Sequence, residues 1–135
     1  MKRGFIFISS LIISLSLLGC TVRTDKTEKL RDLDFTVLDK DEIPESFMEE
    51  ISERVKKGFK LTFEDQGYLY IAEGYGKQET SGYSIEVADL YETENAIYVQ
   101  TDLIGPGNDE EIVERPTYPY IVLKTESVDK NVVFR

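Results

Sequence analysis

Polar and apolar residues alternate along this chain with two different periods. In residues 43–57, Phe47, Met48, Ile51 and Val55 recur three and four positions apart, which places them on one stripe of a helix. Pro44 suits a first helical turn, Glu45, Glu49 and Glu50 precede Lys56 and Lys57 in the order the helix dipole favours, and Gly58 fits a C-terminal cap. From residue 59 the period drops to two. Phe59, Leu61 and Phe63 alternate with polar residues, as do Tyr83, Ile85 and Val87, and Ala88-Asp89-Leu90 breaks that phase as a bulge would. Residues 68–72, 97–103, 118–124 and 128–134 supply the other β-forming runs. Gln66-Gly67, residues 74–82, 92–95, 105–116 and 125–127 separate them. Short strands with polar turns predict a mainly β domain: an antiparallel sandwich, immunoglobulin-like or small barrel-like, of six to seven strands after one amphipathic helix. Ile85, Val87, Ile97 and Val99 are expected in its core.

The first twenty residues follow a different pattern. Met1-Lys2-Arg3 is basic, residues 5–18 are apolar apart from serines, and the run ends Leu17-Leu18-Gly19-Cys20. The run is about 14 residues, short of the roughly 20 that a spanning helix needs. It has the layout of a secretory signal, and its ending resembles the signal of bacterial lipoproteins. That resemblance implies cleavage before Cys20 and a diacylglycerol on its sulfur, the only thiol in the chain. It also implies a bacterial source and an extracytoplasmic, membrane-tethered protein, on the outer face of the cytoplasmic membrane or in a periplasm. The expected organisation is a signal peptide at 1–19, a polar tether at 20–33, and a single domain at 34–135.

Charge narrows the partners. Lys2 and Arg3 are the only charged side chains in residues 1–19, so their removal takes the net charge from −10 to −12 over 116 residues. A surface this acidic repels nucleic acid. Histidine is absent and the signal resemblance implies that Cys20 carries lipid, which together exclude Ser-His-Asp and Cys-His nucleophile systems and metal sites built on His or Cys. Asn108-Asp109-Glu110-Glu111 lacks the alternating ligands and central glycine of a calcium loop. No enzyme, no metal and no cofactor beyond the covalent lipid is expected.

Two loops remain as candidates for function. One runs Gly74-Tyr-Gly-Lys-Gln-Glu-Thr-Ser-Gly82, leading into Tyr83. The other, 104–120, is long, contains Pro106, Pro116 and Pro119, and carries Arg115 among acidic residues. Loops of this length are often functional. Gly76-Lys77, Thr80, Gly82-Tyr83 and Ile85, then Pro106-Gly107, then Tyr118-Pro119-Tyr120 resemble the C-terminal domain of the protease-complex subunit PrcB family over about residues 67–134. Ser81 stands where that family commonly has glycine. The resemblance implies a non-catalytic lipoprotein domain that assembles or stabilises an extracytoplasmic protease complex. Lys77, Thr80, Ser81, Gly82, Tyr83, Arg115, Pro116 and Tyr118 are then the expected partner-binding residues, grouped at one end of the sandwich.

A second similarity is to chagasin-like cysteine-protease inhibitors, through Glu79-Thr80-Ser81-Gly82-Tyr83, Gly105-Pro106-Gly107 and Arg115-Pro116. Thr117 replaces the aromatic of that family's third loop, and the chain has no tryptophan. Direct protease inhibition is the alternative function. A structural envelope lipoprotein with no specific partner is the third.

Overall fold

The computed structural model describes residues 28–135, so the expected signal segment and the expected lipidation site at Cys20 lie outside the described residues. The chain forms β1 (Lys29–Asp32), β2 (Thr36–Val37), a 3-10 turn (Lys40–Glu42), helix α1 (Glu45–Arg54), β3 (Phe59–Asp65), β4 (Tyr68–Gly74), β5 (Ser84–Thr93), β6 (Ala96–Ile104), β7 (Tyr120–Glu126) and β8 (Asn131–Phe134). Two four-stranded sheets face each other. Sheet I has the order β1-β5-β6-β8 and sheet II the order β2-β7-β4-β3. The molecule is an open sandwich rather than a barrel.

Three layers explain the hydrophobic pattern. Leu69 and Ile71 of β4 and Ile121 and Leu123 of β7 face sheet I, where they meet Leu90, Ile97 and Val99. Tyr70, Ala72 and Val122, their sequence neighbours, face the other way and are covered by Phe47 and Ile51 of α1 together with Ile43. Strands buried on both faces need apolar residues at every position, which is why β4 and β7 read as dense runs. In β3, Phe59, Leu61 and Phe63 point to the helix layer, where Phe63 stacks on Phe47 with ring centroids 5.2 Å apart.

The helix is shorter than its 43–57 pattern. It starts after Pro44, ends at Arg54, and passes through a turn to Gly58, whose φ of +79° suits glycine. The expected bulge in β5 is present as a register shift between Val87 and Asp89. The β5–β6 turn is tighter than the 92–95 separator, because the Thr93 hydroxyl accepts the Ala96 amide at 3.1 Å and β5 runs on to Thr93.

Among the described residues six strands follow the helix, within the expected six to seven, but β1 and β2 precede it and bring the total to eight. Two further expectations are corrected. Residues 29–32, read as tether, form edge strand β1, antiparallel to β5. The last pair is not antiparallel: β8 runs parallel to β6. Glu92 fastens both edge strands. Arg31 Nε donates to its Oε1 at 2.7 Å, and Lys130 Nζ donates to its Oε2 at 2.6 Å and to the Thr93 carbonyl at 2.8 Å. Lys130 first, then Arg31, holds the Glu92 carboxyl below the usual carboxylate range.

Of the four expected core residues, Ile97 and Val99 are fully buried, whereas Ile85 and Val87 are half-buried against the core. Sheet I tapers here. Strand β1 pairs only with residues 91–93 of β5, and β8 only with residues 96–99 of β6, so the far half of the β5–β6 hairpin has no flanking strand.

Candidate functional site

Antiparallel pairing of Gly74 with Tyr120 puts the end of β4 beside the start of β7. The 75–83 loop therefore leaves the sandwich where the 105–119 loop returns. The two are joined by hydrogen bonds rather than merely adjacent. Gln78 and Thr117 exchange a reciprocal backbone pair, Gln78 N to Thr117 O at 2.8 Å and Thr117 N to Gln78 O at 3.0 Å. The Ser81 amide donates to the Val113 carbonyl at 3.0 Å, and the Val113 amide donates to Ser81 Oγ at 2.8 Å. Thr117 Oγ1 donates to the Thr80 carbonyl at 2.7 Å, and the Tyr75 amide to the Pro119 carbonyl at 3.1 Å.

Gly82 is the tightest point of this junction. Its φ is +93°, and a Cβ placed there would lie 2.6 Å from Glu110 Oε2 and 2.8 Å from Pro106 Cβ. Glycine alone fits both the conformation and the space. Tyr83 is half-buried, with its ring against Gly105.

The remaining expected residues are spread over the surface of the junction. Lys77 is exposed and reaches Glu79 at 3.9 Å, a distance at which an exposed pair contributes little. Thr80 and Ser81 are half-buried and serve the loop contacts just described. Arg115 and Pro116 are exposed, and Arg115 makes no ion pair among the described residues. Tyr118 is half-buried.

The sequence reading missed two parts of the site. The first is a buried polar triad beneath the loops. Glu73, 7% exposed on the inner face of β4, accepts from Thr101 Oγ1 of β6 at 2.8 Å, and the Tyr75 hydroxyl is bonded to the same Thr101 oxygen. Burial pushes the Tyr75 phenol up; the Thr101 bond opposes that shift and Glu73 adds to it. The triad ties the first residue of the 75–83 loop to both sheets. The second is an exposed aliphatic patch: Ile104, Ile112 and Val113 are 42%, 43% and 56% exposed. Ile112 lies 3.5 Å from the open position on Gly82. Four carboxylates, Asp109, Glu110, Glu111 and Glu114, share its loop and make no ion pair among the described residues. An Ile-Val pair inside an acidic stretch is the signal that could have pointed to it.

Among the described residues, no group of three His, Cys, Asp or Glu is placed to hold a metal, residues 108–111 included. No helix of the described chain is long and apolar enough to cross a membrane. Residues 69–126, from β4 through β7 and so including both loops, match the family model described as PrcB C-terminal. No curated protein and no solved structure matches the chain.

Proposed function

We propose that this protein is a non-catalytic, lipid-anchored extracytoplasmic domain that binds a protein partner within a protease assembly, because residues 69–126 match the PrcB C-terminal family model. The observation that carries the reading is the welded pair of loops. Six hydrogen bonds hold a surface that keeps three large aliphatic side chains exposed, together with Arg115, which makes no ion pair among the described residues. A pre-ordered patch loses little entropy on docking, grouped exposed apolar side chains mark interaction sites, and arginine is enriched among interface hot spots.

The anchor is proposed on the residues 1–20 pattern alone. A second acyl chain makes attachment stable, at about 0.8 kcal/mol per buried CH2. The test expresses the full chain in a bacterial host and follows lipid labelling, membrane fractionation and co-purification of a membrane-associated protease after crosslinking. Cys20→Ala should abolish labelling and release from the membrane should follow. Val113→Glu and Arg115→Ala, each checked for native circular dichroism, should each weaken a partner by at least about 1 kcal/mol. If folded loop variants retain the partner at full affinity, the loops are not the interface.

The chagasin-like alternative uses the same end, since Gly82-Tyr83 and Arg115-Pro116 lie on one surface. A papain-type peptidase assay decides between them: inhibition by the purified protein, lost on Gly82→Ala, would favour the inhibitor.

A further inference from the structure

The end of the sandwich opposite the two loops holds a second feature. The β3–β4 turn, the β5–β6 turn and the 127–130 connection meet there. Beside them a cleft of about 710 Å³ opens between β3 of sheet II and β8 of sheet I. Both are terminal strands of their sheets, so among the described residues each presents one unpaired backbone edge.

The cleft exists because the inner face of β3 is polar. Phe59, Leu61 and Phe63 point to the helix, which leaves Lys60, Thr62 and Glu64 on the side facing sheet I, while Phe63, Leu69 and Val132 supply the apolar part of the lining. At one end Lys60 lies over the Phe134 ring, 6.0 Å from its centroid. At the other, Glu64, Glu94 and Asp129 border the opening. Among the described residues none of these three carboxylates has a cation at ion-pair distance. Lys130, which also lines the cleft, is turned to Glu92 and the Thr93 carbonyl.

We propose that this cleft receives an extended, lysine- or arginine-bearing segment of a partner protein, which adds as a strand to the free edge of β3. Strand β3 is the better acceptor because it offers seven residues against four in β8. Strand addition takes affinity from main-chain hydrogen bonds and specificity from alternate side chains. Here the alternate side chains of the guest meet Glu64, Glu94 and Asp129. Inward charges ordinarily keep foreign strands off a sheet edge. The carboxylates at the open end do so selectively: they repel acidic strands, burden neutral ones with unpaired carboxylates, and attract cationic ones.

The test titrates the 15N-labelled full chain in mild detergent with an acetylated Lys-Val-Lys-Val-Lys-Val peptide. Amide shifts should centre on residues 60–65 and 131–132. A Glu-Val repeat should give none. A peptide N-methylated at alternate residues keeps its charge but cannot complete the ladder, and should bind about tenfold more weakly or worse. The Glu94→Lys, Asp129→Lys double variant should weaken binding by a similar factor, while Glu110→Lys, Glu111→Lys, an equal charge change at the other end, should leave it within about twofold. Equal weakening by both double variants would reduce the effect to net charge and overturn the proposal. So would equal binding of the N-methylated peptide, shifts confined to residues 75–83 and 105–119, or no shift at millimolar peptide. Val113→Glu should leave these shifts intact, which separates this site from the loop interface.

Discussion

Gly82→Ala should be among the most damaging conservative changes on the surface of this protein. Two terms act together. An alanine at a φ of +93° is strained by an amount of order 1–3 kcal/mol. Its Cβ would also lie 2.8 Å from Pro106 Cβ, and pushing a rigid ring out of a packed position costs about 1–3 kcal/mol. The closer contact, 2.6 Å to Glu110 Oε2, adds little, because the end of an exposed glutamate swings away. Partial relaxation should leave a total of about 2–4 kcal/mol. In a domain of this size that lowers the melting temperature by about 10–20 °C.

Urea denaturation with a thermal scan measures the loss, and amide exchange at Ser81 and Val113 reports whether the loop junction opens. Gly107→Ala is the control. It has no atom within 4 Å of the new Cβ and no positive φ, so it should stay within about 0.5 kcal/mol of the parent. Pro106→Gly removes the obstructing carbon and should couple favourably with Gly82→Ala in a double-mutant cycle. Equal effects of Gly82→Ala and Gly107→Ala would refute the reasoning. Strict additivity with Pro106→Gly would refute the steric half of it.

Burial grades the hairpin: Ile97→Ala, with its side chain fully buried, should cost about 3–4 kcal/mol, and half-buried Ile85→Ala about 1–2, by urea midpoint. Thr101→Val keeps shape but removes the hydroxyl shared by Glu73 and Tyr75. It should cost about 1–3 kcal/mol, and less in a Glu73→Leu background. Gly74→Ala places a Cβ 2.3 Å from the Phe59 ring and should lose about 1–3 kcal/mol, much of it recovered by Phe59→Leu. Glu92 has a folded-state pKa below its unfolded one, so its contribution is present above pH about 4.3 and fades as pH falls through the folded value. The urea midpoint of the parent should therefore drop more steeply on acidification than that of Glu92→Gln.

Where an element has a distinct solvent side, its residues announced it. The α1 stripe, the phase break in β5 and the glycine at position 82 all follow from local geometry. The elements that escaped are those defined by distant partners. Lys29-Leu-Arg-Asp32 reads as tether because an edge strand needs no apolar alternation; it is held by backbone pairing to β5 and by Arg31 on Glu92. The direction of β8 has no local signature, since Val132 and Phe134 would alternate identically in either sense. The burial of Glu73 was hidden because its partners, Thr101 and Tyr75, come from another sheet and from a loop. At the candidate site the glycine, proline and tyrosine positions were legible as a pattern. The aliphatic patch was not, because Ile112 and Val113 resemble core residues until the loop is seen to hold them outward.

The clasp at Glu92 has a kinetic consequence. Its bonds join residues 61 and 38 positions apart in the chain, while the hairpin it sits on closes through a two-residue turn. Local pairing forms before long loops are closed, so the β5–β6 hairpin should assemble early and β1 and β8 should dock after the rate-limiting step. Loosening the clasp, as in Arg31→Ala, should then speed escape from the native state and leave the refolding arm of the chevron almost unmoved. The lifetime of the folded domain would be governed at its two edge strands, far from the loops proposed to bind a partner.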